Sequence, residues 1–274
     1  MNFINIDHGK CRRDGICVKV CPSQIIVMKE GDTFPSTLEK ASELCVHCGH
    51  CVSACPHGAL VHASIPIESC YPLQRHLRPG PDSIRYFLKS RRSIRNYKSD
   101  RVPRKTLEDL LDTARFAPTA LNKQQVYWTV IEDPNKVKKL SGMTIDFFKE
   151  MLQTATDNYV IKRNKRLIAA WNRGKDCILR NAPHLVVVHS SPDLPYSQAN
   201  CMIALTYLEL YAHAKGLGTC WAGYFTTAVN LSLLLRQTLG IPEDHRCFGS
   251  VMLGYPQHSY SSIPSRNAPL VTWL

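Results

Sequence analysis

Hydrophobic positions along the chain change period from one stretch to the next. Leu107, Leu110, Leu111 and Ala114 recur at helical spacing behind the pair Thr106-x-x-Asp109, which predicts a helix capped by that pair and stopped by Pro118. Val126-Tyr127-Trp128-Thr129-Val130-Ile131 alternates and predicts a strand. From Ala199 to Ala214, Met202, Ile203, Leu205, Leu208, Leu210, Tyr211 and Ala212 cover nearly every direction around a helix. Such a helix is expected to be buried on all sides, against its own sheet and against a second subunit. No apolar run reaches the length of a membrane span and residues 1–10 lack the apolar core of a signal peptide, so a soluble protein of the cytoplasm is expected.

Between residues 65 and 81 the periodic patterns stop. Pro66, Pro72, Pro79 and Pro81 follow in short order and mark a linker, taken as residues 66–83. It separates a small domain, residues 1–65, from a larger one, residues 84–274. A chain of 274 residues suits one small domain plus one ordinary domain able to bury a substantial core.

The small domain carries two copies of a ligand run. Cys11-x2-Asp14-x2-Cys17-x3-Cys21-Pro22 is followed by Cys45-x2-Cys48-x2-Cys51-x3-Cys55-Pro56. The second copy is the full bacterial ferredoxin pattern, in which three thiolates wrap one cubane and the fourth crosses to the other cluster. Cys45, Cys48, Cys51 and Cys21 are therefore assigned to one cluster, and Cys11, Cys17 and Cys55, with Asp14, to the second. Structural zinc needs sets of four ligands that these residues also contain, but the duplicated register favours iron. Disulfides fit less well, because a redox protein of this type belongs where thiols stay free.

Asp14 has two readings. A carboxylate binds iron more weakly than a thiolate, which makes that corner exchangeable between [4Fe-4S] and [3Fe-4S] forms. Equally, Asp14-Gly15 is a common turn dipeptide beside a three-iron cluster. Cys70, Cys177, Cys201, Cys220 and Cys247 lie outside both registers and are read as unligated thiols.

Arg91-Arg92-Ser93-Ile94-Arg95 gathers forked guanidinium donors around a hydroxyl, a set suited to a phosphate. Further on stand Ala117-Pro118-Thr119-Ala120-x-Asn122-x-Gln124, then Gly216-Leu217-Gly218-Thr219-Cys220-Trp221, and finally Leu253-Gly254-Tyr255-Pro256 with Arg266. In this order the motifs resemble the nitroreductase family of FMN enzymes, over about residues 84–274. With the cysteine runs, the chain is similar to the subgroup that fuses a two-cluster ferredoxin ahead of the flavin domain.

The resemblance implies an α+β fold, a central mixed sheet flanked by helices, preceded by a ferredoxin-like domain. It implies that Arg91, Arg92, Ser93 and Arg95 contact the FMN phosphate and pyrimidine edge, with Arg266 closing on the phosphate. Asn122 and Gln124, on the loop opened by Pro118 and Thr119, would bond the ring or ribityl chain, and Ala222-Gly223 would pass the N5 edge. Gln125 and Val126 stand where the family more often has proline and tryptophan. A homodimer with FMN at the subunit interface is implied as well. Gly216-x-Gly218 is not a dinucleotide fingerprint, since no glycine follows three residues on.

The activity expected is reduction of a small organic acceptor, a nitro compound, quinone or activated double bond, with single electrons passing from an external low-potential donor through two clusters to FMN. That donor is a ferredoxin or a nicotinamide nucleotide. Alternatives are a non-catalytic electron-transfer or redox-sensing flavoprotein, and dehalogenation or flavin fragmentation on the same fold. No catalytic side chain is demanded.

Charge adds little. The balance of 34 Lys+Arg against 22 Asp+Glu gives +12, which seven thiolates and a flavin phosphate would reduce. The run Lys162-Arg163-x-Lys165-Arg166, with Arg173 and Lys175, reads as a solvated helix face or a docking patch for an acidic donor. No nucleic-acid reader motif accompanies it. His47, His50, His57 and His62, near the cluster cysteines, are expected to face solvent or to donate to cluster sulfurs.

Overall fold

Two stretches of backbone near the N-terminus repeat each other. In the computed structural model, which describes residues 3–274, left-handed Arg13 and Gly15 flank Asp14 (φ 61° and 68°), and left-handed His47 and Gly49 flank Cys48 (φ 50° and 72°). Each pair opens a short helix. The helices end on Cys21 and Cys55, which are extended because a proline follows each and excludes the helical conformation from the residue before it.

The elements of this part are β1 (Ile4–Ile6), α1 (Ile16–Val20), β2 (Ile26–Val27), β3 (Ser36–Thr37), α2 (Ala41–Leu44), α3 (His50–Ala54) and β4 (Leu60–His62). β1 pairs antiparallel with β4, and β2 with β3. Ile4, Ile25, Ile26, Ala41, Val52 and Leu60 form a small core that also takes in Cys51. By compactness this unit comprises the described residues up to Arg78 together with Leu121–Lys123, and a second unit comprises Pro79–Ala120 and Gln124–Leu274.

The second unit contains α4 (Pro81–Ser90), α5 (Arg104–Ala114), β5 (Tyr127–Ile131), α6 (Pro134–Thr154), α7 (Asn158–Asn172), β6 (His184–Ser190), α8 (Ser197–Ala214), β7 (Gly218–Trp221), α9 (Gly223–Leu231), α10 (Leu233–Leu239) and β8 (Arg246–Gly254). Its sheet runs β5-β6-β8-β7, antiparallel at every named pair. The parallel component is a bridge from Ser93 to Thr219 at the β7 edge.

Helices cover both faces, which is why β6 is apolar at successive positions. Leu185 and Val187 join a core with Val137, Leu140, Phe148 and Phe225, while Val186 and Val188 join one with Leu107, Leu110, Leu205 and Leu208. Burying each such side chain contributes about 1.5–3 kcal/mol.

One expectation about local structure changes. The helix through Leu107 starts at Arg104, with Pro103 at its N-cap and no side-chain cap, so Thr106 and Asp109 are not a capping pair. Proline fixes its own φ near the helical value and starts the helix a turn earlier. Asp109 instead accepts from Lys215 Nζ at 2.7 Å and Tyr211 Oη at 3.1 Å. Within one chain α8 keeps an open apolar strip, Met202, Ile203 and Tyr207 being 40%, 38% and 40% exposed. Among the described residues, no helix is long and apolar enough to cross a membrane.

Candidate functional site

The cysteines sort into two groups. Cys21, Cys45, Cys48 and Cys51 line one small cavity with Ile4 and Ile26. Cys11, Cys17 and Cys55 line another, and Asp14 is in it. The fourth cysteine of each run therefore sits with the first three positions of the other run. All are free thiols. Burial pushes the Cys51 thiol up to about 11 and raises those of Cys17 and Cys45, so metal entering these sites must displace protons. Seven soft sulfur donors in two compact sets fit iron–sulfur clusters.

Asp14 occupies the backbone position that Cys48 holds in the other copy. One carboxylate oxygen caps the following turn, accepting from Ile16 N at 3.0 Å. The other lies 3.8 Å from His57 Nε2.

Backbone N–H groups already point at sulfur, His47 N to Cys45 Sγ at 3.4 Å and Ala59 N to Cys55 Sγ at 3.3 Å. His62 adds a side-chain donor. It is buried, and the Ser64 amide donates to its Nδ1 at 3.2 Å, which leaves the ring proton on Nε2, 3.7 Å from Cys45 Sγ. Burial lowers its pKa, keeping the ring neutral. His47, His50 and His57 are exposed.

In the second unit, Arg91, Arg92, Ser93 and Arg95 share a cavity of about 250 Å³ with Tyr260 and with Arg266 from far along the chain. The segment is fixed by β7. Ile94 N donates to Thr219 O at 2.9 Å, and the contact is so close that a Cβ on Gly218 would lie 2.5 Å from Ile94. Only glycine permits that approach.

Arg91 faces buried Glu209 of α8 at 3.9 Å. Arg92 uses one nitrogen on the Arg91 carbonyl at 3.0 Å, while its Nε and Nη2 are buried without a partner among the described residues. Orphaned charged donors in a cavity with further guanidiniums match a phosphate, so these residues fit FMN.

Ala222 and Gly223 line a second cavity, of about 470 Å³, with Arg95, Cys220, Trp221 and Tyr224. Arg95 borders both cavities. Pro118, Thr119, Asn122 and Gln124 line neither. Their loop holds Leu121, Asn122 and Gln124 in the left-handed region (φ 52°, 52° and 54°), with Gln124 N donating to Thr119 Oγ1 at 3.0 Å. Asn122 belongs to the first unit, where its amide donates to His47 O at 2.8 Å.

Sequence reasoning missed Glu209, Arg163 and Arg180. Glu209 accepts from Thr219 Oγ1 at 2.8 Å and from Trp221 Nε1, so one carboxylate ties α8 to β7. Its signal was a lone acid in an otherwise apolar helix. Arg163 and Arg180 reach the second cavity. Trp221 and Tyr224 line the second cavity, whereas Phe225 is core.

Comparison with known proteins agrees with this geometry. The nitroreductase family pattern matches residues 88–255, and a 4Fe-4S dicluster domain matches residues 10–60. A protein of Archaeoglobus fulgidus provisionally named NADH dehydrogenase/NAD(P)H nitroreductase is 30% identical over 173 residues, 61% of this chain and 82% of its own length. An iodotyrosine deiodinase of Thermotoga neapolitana is 28% identical over 131 residues, 48% of this chain and 68% of its own. The crystal structure of an FMN-bound nitroreductase from Bacteroides fragilis shares the fold with a TM-score of 0.59 at 23% identity, covering 70% of this chain and 98% of that one.

Proposed function

Since the chain belongs to the nitroreductase family and carries a 4Fe-4S dicluster domain, we propose a reductase that takes single electrons at its iron–sulfur domain and passes them in pairs, at FMN, to a small organic acceptor. The acceptor is a nitro compound, a quinone or an activated double bond. When bound, FMN supplies the exchange between one-electron and two-electron chemistry.

The observation that carries this reading is that Arg266 lines one cavity with Arg91, Arg92, Ser93 and Arg95, and that Arg92 keeps two buried donors without a partner among the described residues. Arg92 and Arg266 would hold the phosphate, Ser93 would add a hydroxyl donor, and Arg95 would reach toward the pyrimidine edge. Glu209 holds Arg91 in place. Cys21, Cys45, Cys48 and Cys51 would hold one cluster, and Cys11, Cys17 and Cys55, with Asp14 as a weaker fourth ligand, the other. A reducing compartment such as the cytoplasm suits the free thiols.

A homodimer completes the site. The loop bearing Pro118, Thr119, Asn122 and Gln124 lines neither cavity of its own chain, and Met202, Ile203 and Tyr207 leave an apolar strip on α8. A second copy covering that strip would bring its own loop to the flavin.

Anaerobic reduction by NADH, NADPH and reduced ferredoxin in parallel tests the electron path. Ferredoxin is expected to bleach both cluster and flavin absorbance fastest. Flavin reduction by a nicotinamide nucleotide with the clusters left oxidised would contradict it.

One second reading is favoured by a specific observation, the relatives named iodotyrosine deiodinase. Reductive dehalogenation would release halide from a halotyrosine under the same reductant, and mass spectrometry of the products separates it from nitro or quinone reduction.

A further inference from the structure

The cavity beside Ala222 and Gly223 holds more positive charge than a flavin needs. Arg95, Arg163 and Arg180 all line it, and none of the three has an acidic ion-pair partner among the described residues. The phosphate is already served by Arg91, Arg92 and Arg266 in the neighbouring cavity. Arg95 answers the pyrimidine edge, where reduced flavin carries its negative charge, which leaves Arg163 and Arg180 surplus to the cofactor.

The Arg163 guanidinium and the Arg180 backbone are both held in place. Arg163 is the member of the basic run that turns inward: Lys162, Lys165 and Arg166 are exposed, whereas Arg163 is half-buried. Its Nε donates to Asn164 Oδ1 at 2.9 Å, and its head lies over the rings of Phe148 and Tyr224 at 5.4 and 5.8 Å. Arg180 sits in left-handed backbone, φ 59°, in a loop organised by Asp176. That carboxylate is buried and accepts from Ser141 Oγ, Ile178 N, Leu179 N and Asn181 N at 2.8–3.1 Å. A residue held in strained backbone by a fully bonded buried acid is pre-organised for a ligand.

From this we infer that Arg163 and Arg180 bind the carboxylate of the acceptor, so that the preferred substrates are aromatic or conjugated acids. Planar guanidinium forks match a carboxylate's two oxygens, and Trp221 and Tyr224 in the same wall offer apolar surface to a flat ring. The inference rests on the proposed reading of Ala222-Gly223 as the flavin's reactive edge.

The test uses FMN-loaded protein, Arg163→Gln, Arg180→Gln and Arg180→Lys. Benzoate and neutral benzamide are titrated against each by flavin difference spectra and calorimetry. Photoreduced protein is then reoxidised anaerobically by 4-nitrobenzoate or 4-nitrobenzamide. Wild type is expected to bind benzoate at least tenfold more tightly than benzamide. Either glutamine variant should lose that preference and raise the half-saturating 4-nitrobenzoate concentration at least tenfold, with 4-nitrobenzamide within twofold and FMN retained. Arg180→Lys, which keeps the charge but loses the fork, should bind benzoate more tightly than Arg180→Gln and less tightly than wild type.

Equal losses for the charged and neutral ligands, weakened FMN binding in the glutamine variants, or no preference in wild type would overturn the inference. If neither nitro compound reoxidises the protein while benzoate binding still depends on both arginines, the proposed reductase activity fails and the carboxylate site stands.

Discussion

Glu209, buried inside α8, faces Arg91 at 3.9 Å while its two oxygens take the Thr219 hydroxyl and the Trp221 indole. One acid thus ties the helix to β7 and to the first residue of the proposed phosphate-binding segment. Glu209→Gln removes the charge opposite Arg91 and presents an amide donor to groups that already donate. A buried hydrogen-bond mismatch of this kind costs about 1–3 kcal/mol. Urea unfolding should show that loss, with FMN binding weakened alongside it; unchanged stability would mean that Glu209 is not the tie described.

Gly218 should tolerate no side chain. A Cβ there would meet Ile94 at 2.5 Å, and that contact carries the bridge placing Ser93 beside Thr219. Overpacking at such a point costs roughly 1–3 kcal/mol. Gly218→Ala is expected to lower the thermal midpoint and the flavin content together, read by calorimetry and by absorbance of the purified protein.

His62 should set the potential of one cluster without touching the other. Its Nε2 proton faces Cys45 Sγ, and a hydrogen bond to sulfur favours the reduced, more negative cluster. If that bond differs by on the order of 1 kcal/mol between redox states, the shift is roughly 40 mV for one electron. Potentiometry with electron paramagnetic resonance on His62→Phe should find the signal of the Cys45 set lowered by about that much and the other unmoved. Equal movement of both signals would assign the effect to general loosening.

Asp14→Cys should alter the cluster on Cys11, Cys17 and Cys55. Mössbauer spectra and iron content after mild oxidation are expected to differ from wild type, with the variant retaining its fourth iron. Indistinguishable spectra would make Asp14 a turn residue only.

Stability should fall in mild acid. Burial, with the adjacent His245, lowers His189 to about 4 from an ordinary value of 6.5. The unfolded chain therefore takes up this proton first as pH falls, so the folded state is undisturbed above pH 6.5 and loses stability between 6.5 and 4. The loss reaches roughly 3 kcal/mol. Denaturant titrations should show this slope, and His189→Gln should flatten it.

The grouping of the cysteines was legible because their spacing is local: a tight loop that wraps three donors needs those residues at those intervals. The place of Arg266 beside Arg91, Arg92, Ser93 and Arg95 was legible only through resemblance, since nothing in its own neighbourhood points to it. The Thr106-x-x-Asp109 pattern misled because Pro103 starts the helix earlier and frees Asp109 for Lys215 and Tyr211. Arg163 was hidden in a basic run whose other members face solvent, and Arg180 in a loop whose shape depends on the buried acid Asp176. Tertiary packing selects both residues, and local pattern carries no record of it.

The segment Arg91–Arg95 and the distant Arg266 are proposed to form one phosphate cradle for FMN. The most direct test compares FMN with riboflavin, which lacks the phosphate, in equilibrium binding to wild type, Arg92→Gln and Arg266→Gln. Wild type should prefer FMN strongly, and each variant should lose at least tenfold in FMN affinity while riboflavin affinity stays within twofold. An FMN preference that survives both substitutions would contradict the account.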